Sequence, residues 1–195
     1  MDINVILFNN FETLDVFGPV EIFGILDDEY KIKFLSMDGS IITSKQGVKV
    51  VTDRINVDDY SGILFVPGGL GTRDLVHDIE FVELLKVLDN MSEYTLTVCT
   101  GSALLARTGH LKGITATSNK RSFDWVKDQD KDVLWESSAR WCVDGKYYTS
   151  SGVSAGMDMS LGFIKDMFSE KKAFEVAKRI EYIWNDNMKD DPFAV

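Results

Sequence analysis

A single cysteine stands where a chain would place a nucleophile. Residues 94–98 (Tyr-Thr-Leu-Thr-Val) are β-branched and apolar, as a buried strand is. Residues 102–106 (Ser-Ala-Leu-Leu-Ala) are small and apolar without a breaker, as the first turns of a helix are. Cys99 falls at the junction. A thiol on a tight strand-to-helix turn lies beside unpaired backbone N–H groups and the positive end of the helix, and both draw its pKa down from the ordinary value of about 8.5. The N–H of Thr100 is placed to hold negative charge on a reacting atom. Most free cysteines are nonetheless small buried thiols that do no chemistry, so the local pattern alone leaves both readings open.

Two other stretches decide between them. Residues 61–66 read as a core strand that runs directly into Pro67-Gly-Gly-Leu-Gly-Thr72. Gly68 and Gly69 let backbone N–H groups approach a ligand with no Cβ in the way, although a plain glycine turn has the same composition. A first strand over residues 3–8 leads through Asn9, Asn10 and Phe11 to Asp15. Pro19 suits the opening turn of a helix, which predicts a helix starting near Gly18 with Asp15 on its approach. Strands over 30–37, 61–66 and 94–98 alternate with helices over 79–90, 102–109 and 150–168, and a last helix is predicted over 171–188. Small hairpins are predicted over 41–51 and over 135–150, the second on an Asp144-Gly145 turn.

This alternation predicts an α/β domain with a mostly parallel central sheet. Ligands of such sheets sit outside the carboxyl ends of the strands. Asp15, Gly68, Gly69 and Cys99 all fall at those ends, which favours the nucleophile. One domain is expected over 1–188, followed by a loose tail over 189–195.

Composition narrows the partners. The chain has 195 residues, 45% hydrophobic and 27% charged, with a formal net charge of −10. That charge argues against nucleic acid and anionic membranes, and no apolar run is long enough to span a bilayer. The first residues read as a strand without a basic region, so no signal peptide is expected, and two cysteines, Cys99 and Cys142, fit a reducing cytoplasm. With only His77 and His110 and no clustered Cys/His spacing, no metal is expected, and neither phosphate-loop nor dinucleotide fingerprints occur. Both histidines read as surface residues, Cys142 as packing, and Glu12 and Arg73 as solvated loop charges rather than parts of a pocket mouth.

Four blocks now carry a resemblance: Leu14-Asp-Val-Phe-Gly-Pro-Val-Glu-Ile-Phe23; Val66-Pro-Gly-Gly-Leu-Gly-Thr72; Val98-Cys-Thr-Gly-Ser102 with Leu111-Lys-Gly113; and Thr149-Ser-Ser-Gly-Val-Ser-Ala-Gly-Met-Asp158. Together they resemble the ThiJ/PfpI superfamily, whose flavodoxin-like fold is a three-layer sandwich with a nucleophile elbow between a central strand and the next helix. The pairing of Leu-Asp and Gly-Pro-x-Glu with Cys-Thr-Gly resembles the isonitrile (isocyanide) hydratase branch, which are hydro-lyases. The same blocks occur in sensor domains of AraC-type regulators, whose helix-turn-helix region this chain is expected to lack. The resemblance implies that Cys99 is the elbow nucleophile, that the Asp15 side chain faces the sulfur, and that Gly69 and Thr100 supply oxyanion-hole N–H groups with Gly68 beside them. It implies that the Thr100 hydroxyl orients substrate or water, that no cofactor takes part, and that the partners are a small-molecule substrate and a second copy in a homodimer. Protease-like and glyoxalase-like members carry a histidine directly after the cysteine, where this chain has Thr100. Many relatives carry another after the Ala-Thr-Thr-type strand, where it has Asn119.

Without an imidazole, Cys99 must owe its reactivity to the elbow and to Asp15. The expected arrangement is a thiolate beside a carboxyl that keeps its proton through burial and the sulfur's charge, so that Asp15 serves as general acid. Attack on an isocyanide carbon would then give a thioimidate, which water converts to an N-substituted formamide. A ligand-binding or redox-sensing protein, with Cys99 oxidised to a sulfinic acid, and a glyoxalase- or amidase-type hydrolase are the alternatives.

Overall fold

A computed structural model describes residues 1–194. The elements in chain order are β1 (Asp2–Ile6), α1 (Thr13–Gly24), β2 (Lys31–Ser36), β3 (Ile41–Thr43), β4 (Lys49–Val51), β5 (Asp53–Arg54), β6 (Ile63–Val66), α2 (Thr72–Leu75), α3 (Ile79–Met91), β7 (Tyr94–Thr97), α4 (Gly101–Arg107), β8 (Thr115–Ala116), α5 (Phe123–Lys127), β9 (Leu134–Trp135), β10 (Trp141–Asp144), β11 (Tyr147–Ser150), α6 (Ala155–Met167) and α7 (Glu170–Arg179). Seven strands form the main sheet in the order β10-β11-β7-β6-β1-β2-β5. All of its pairings are parallel except β10 with β11. β6 is buried at every residue and β1 at all but its first, as strands covered on both faces must be. Helices α1, α6 and α7 pack together on one side, and α2 to α5 on the other. The result is a flavodoxin-like three-layer sandwich with β6 and β7 near its centre.

Three features depart from expectation. Helix α1 begins at Thr13, not near Gly18, so Asp15 lies in its first turn and Pro19 inside it. The start is set by tertiary hydrogen bonds: the Glu12 N–H donates to the Gly68 carbonyl (2.9 Å) and the Thr13 N–H to Gln46 Oε1 (3.1 Å). Against these, Pro19 forgoes one helical bond. The second hairpin is shorter than predicted, since β10 begins only at Trp141 and Leu134-Trp135 pairs with β8 instead.

The last helix also stops early, at Arg179, and Glu181 turns left-handed (φ 54°). What redirects the chain is the buried Asp158 of α6. Its Oδ1 accepts from the Tyr182 hydroxyl and the Asn185 N–H, each at 3.0 Å, and its carbonyl from Trp184 Nε1 at 3.1 Å. The segment from Lys189 is not loose over the described residues. Asp191 is buried, its N–H donates to the Ser138 carbonyl at 2.8 Å, and its Oδ1 lies 3.4 Å from Arg140 Nη1.

His77 is exposed, but His110 is not a surface residue. Its Nδ1 lies 2.5 Å from Oδ2 of the buried Asp89, which also accepts from Thr95 (2.5 Å) and Tyr147 (3.1 Å). Thr95 and Tyr147 stand at the amino ends of β7 and β11, so this cluster lies at the opposite edge of the sheet from Cys99.

Arg140 Nε and Nη2 both reach Asp158 Oδ2 at 2.6 Å with the two side chains buried. Removing Asp158 leaves the buried Arg140 charge with only its longer contact to Asp191, so Asp158→Ala is expected to lower unfolding stability by about 3 kcal/mol. Denaturant unfolding checks this, and a loss below about 1 kcal/mol contradicts it.

Candidate active site

Cys99 sits on a strained turn. Its φ is +55°, a left-handed conformation that costs a non-glycine residue about 1–3 kcal/mol. The backbone around it is held from several sides. The Cys99 N–H donates to the Ser151 carbonyl at 3.0 Å, while its own carbonyl accepts from Ser118 Oγ (2.7 Å) and Ser102 Oγ (3.2 Å). Gly101 closes the turn with its N–H on the Val98 carbonyl (2.9 Å). A Cβ there would stand 2.3 Å from the Val66 carbonyl oxygen, so only glycine lets α4 start this close to β6. The small residues opening α6 serve packing: a Cβ on Gly156 would meet Val98 at 2.8 Å.

Asp15 is fully buried beside Cys99, close enough that its charge raises the thiol's pKa. Its Oδ2 accepts from the Gly68 N–H at 2.9 Å, and its Oδ1 is buried without a fixed partner. Gly68 is therefore a ligand of the carboxyl group. It must be glycine, since a Cβ would lie 2.5 Å from the Thr100 nitrogen and 2.9 Å from Asp15 Oδ2. The Gly69 N–H donates to Thr100 Oγ1 (3.1 Å), which also accepts from the Thr72 hydroxyl (3.1 Å). The Thr100 N–H and hydroxyl favour the sulfur's anion. The structure thus gathers Asp15, Gly68, Gly69, Cys99 and Thr100 in one place. Of the two N–H groups expected to form an oxyanion hole, that of Gly69 is occupied by the Thr100 hydroxyl and that of Thr100 serves the sulfur.

Burial raises the Asp15 pKa to about 7, against the lowering pull of the Gly68 N–H and with a smaller contribution from Glu12. The direction is the expected one, but a value of about 7 leaves the carboxyl ionised above neutral pH rather than protonated beside a thiolate. The thiol behaves differently from expectation. Burial, and then the Asp15 charge, push Cys99 well above the ordinary cysteine range, and the Thr100 N–H and hydroxyl recover only part of this. A short helix and one amide are weaker than the loss of solvation. Thiol and carboxyl so close together share one negative charge, and at rest above neutral pH it lies on Asp15.

A cleft of about 280 Å³ opens onto Cys99, with Gly69 and Thr100 beside the sulfur and Glu12, Arg73, Asn119 and Arg121 around it. Glu12 and Arg73 therefore belong to the site and are not solvated loop charges. Glu12 Oε1 accepts from Gln46 Nε2 at 2.5 Å, and the Arg73 guanidinium stacks on Trp125. Neither partner is adjacent in sequence, so only position one residue past the glycine loop could have marked Arg73. No histidine lines the cleft, and Asn119 occupies the wall. A larger cleft of about 490 Å³ beyond the ends of β1 and β2 carries no thiol or imidazole. Cys142 is buried away from the site, its thiol pushed up to about 12 by burial.

Fold and site define an α/β protein with a cysteine on a strand–helix elbow. The DJ-1/PfpI family model matches residues 1–166, and the chain belongs to that family. It is 26% identical over 183 residues to an isonitrile hydratase of Pseudomonas putida, covering 93% of this chain and 78% of that protein. It is 25% identical over 154 residues to the deglycase PfpI of Pyrococcus furiosus, covering 73% of this chain and 84% of that one. The crystal structure of a ThiJ/PfpI family protein from Pseudomonas syringae superposes with a TM-score of 0.84 at 27% identity, over 98% of this chain and 77% of the other. The family thus includes enzymes.

Asp15 makes stability depend on pH. Its carboxyl ionises near the ordinary value of 3.8 when unfolded and near 7 when folded, so between these values the folded state binds the extra proton and stability falls as pH rises. Asp15→Asn removes this dependence. The stability of the variant relative to wild type is expected to grow from about pH 4 to pH 7, by at most about 1.4 kcal/mol per pH unit, and then level off. Denaturant midpoints across that range test it; a difference constant with pH contradicts it.

Proposed function

We propose that this protein is a cysteine-dependent enzyme that hydrates isocyanides to N-substituted formamides. The observation carrying the reading is the pairing of a cleft-facing thiol with a buried carboxyl of pKa about 7, at a site whose walls hold no imidazole. An isocyanide carbon accepts both a nucleophile and a proton, so one acid–base group beside the sulfur suffices. Asp15, ionised at rest, takes the Cys99 proton as the sulfur attacks the terminal carbon, and returns it to that same carbon. The S–H bond is broken and S–C and C–H bonds form, leaving a thioimidate, R–N=CH–S–Cys99. Water then adds to this carbon, Asp15 passing one of its protons to the imidate nitrogen. Collapse of the adduct to the carbonyl breaks the C–S bond while Asp15 carries the remaining hydroxyl proton to the sulfur, and R–NH–CHO departs. Thr100 positions the water, and its N–H steadies the sulfur as it leaves. The 26% identity to an isonitrile hydratase supports the same reading.

Turnover of a panel of small isocyanides, glyoxals and peptides tests this. Isocyanides are expected to be consumed to formamides, Cys99→Ala to abolish the reaction, and Asp15→Asn to slow it about a hundredfold or more. Turnover of glyoxals or peptides alone, or full activity in Cys99→Ala, contradicts the proposal. The pH dependence adds a second check. One proton must leave the thiol–carboxyl pair before it can act, so kcat/KM is expected to rise through about pH 7, a limb absent from the residual activity of Asp15→Asn.

A further inference from the structure

Arg73 is held rigidly yet left incomplete. Its Cζ lies 3.3 Å from the centroid of the Trp125 ring, and its Nη2 donates to Ser122 Oγ at 2.8 Å. Its Nη1 is buried and has no hydrogen-bond partner among the described residues. The buried guanidinium of Arg140 shows how this chain completes such a group internally, with Asp158 at 2.6 Å and Asp191 at 3.4 Å. A sequence with 31 acidic and 21 basic residues has no shortage of carboxylates, yet none pairs with Arg73 among the described residues. Glu12, the acid in the same cleft, is engaged by Gln46 instead. A buried guanidinium donor left without an acceptor is costly, and a planar two-oxygen anion is its best complement. Arg121, exposed on the same wall, adds a second positive charge, so the cleft sets two guanidiniums against one engaged carboxylate.

We infer that Arg73, backed by Arg121, is a binding site for a carboxylate borne by the substrate, so that the cleft selects small anionic molecules. Resting on the isocyanide reading above, the preferred substrates are isocyanides whose N-substituent carries a carboxylate. Stacking on Trp125 fixes the plane of the fork before binding, which limits the entropy lost on complex formation. Arg73 in this scheme touches the substrate tail and not the reacting carbon.

Alkylation of Cys99 tests the site without relying on turnover. Iodoacetate and iodoacetamide react by the same step, sulfur displacing iodide, and differ only in carboxylate against amide. The ratio of their rates at Cys99, followed by peptide mass, is expected to fall about tenfold or more in Arg73→Gln. In Arg73→Lys, which keeps the charge but loses the fork, it should lie between the two. In wild type, propionate is expected to protect Cys99 from iodoacetamide and propionamide is not, a readout that stands even if Arg73→Gln does not fold. Equal ratios in all three proteins, or equal protection by acid and amide, overturn the inference. Isocyanoacetate against its methyl ester completes the test, with the acid preferred in wild type and the preference lost in Arg73→Gln. Should the alkylation arms succeed while neither isocyanide is consumed, the carboxylate site stands and isocyanide hydration falls. Equal turnover of acid and ester, unchanged in ratio at Arg73→Gln, leaves hydration standing and removes the site.

Discussion

A thiol and a carboxyl group buried in the same corner, with room for one negative charge between them, is the constraint around which this molecule is arranged. Neither group ionises easily there. Desolvation raises both pKa values, and the Asp15 charge raises that of Cys99 further, while the thiol pulls that of Asp15 slightly down. The structure resolves the conflict by giving Asp15 a backbone N–H from Gly68 and giving the sulfur one from Thr100. The carboxyl ends with the lower pKa. Such a pair is a poor store of thiolate and a good proton relay, because the proton that blocks the sulfur has an acceptor beside it. A site built this way favours reactions in which the proton removed from the nucleophile is needed again on the atom attacked.

Backbone geometry holds this corner together more than side-chain packing does. Cys99 is held in its left-handed turn by hydrogen bonds at both its N–H and its carbonyl. Gly68 and Gly101 are fixed as glycines by backbone atoms that a Cβ would strike at 2.5 and 2.3 Å. The same closeness lets one peptide N–H reach Asp15 and the next reach Thr100. Strain at the elbow is balanced by Ser102, Ser118 and Ser151, which tie down the backbone on either side of the sulfur. The function and the local instability thus have a common origin.

Much of this was legible in the residues. The runs over 94–98 and 61–66, each ending in small residues, marked the central strands and the two turns that meet at the site. Periodicity misled where tertiary contacts outweigh it. Pro19 argued for a late start to α1, but Gly68 and Gln46 cap the helix earlier. Phe174, Ala177, Ile180 and Trp184 kept helical spacing, yet Asp158 draws the chain out of the helix after Arg179. His110 looked superficial because its partner, Asp89, belongs to another element. The place of Arg73 depended on Trp125 and Ser122, which no local pattern links to it. The thiol's raised pKa was equally hidden, since burial is a property of the whole fold and the elbow alone argues for the opposite shift.

Ultraviolet titration of the Cys99 thiolate, in wild type and in Asp15→Asn, tests the shared charge most directly. The account predicts that wild-type thiolate absorbance develops only well above the ordinary cysteine range, and that it moves to lower pH once the Asp15 charge is gone. A thiolate already complete at neutral pH in wild type, or a titration unmoved by Asp15→Asn, would show that the sulfur and the carboxyl group do not share a charge.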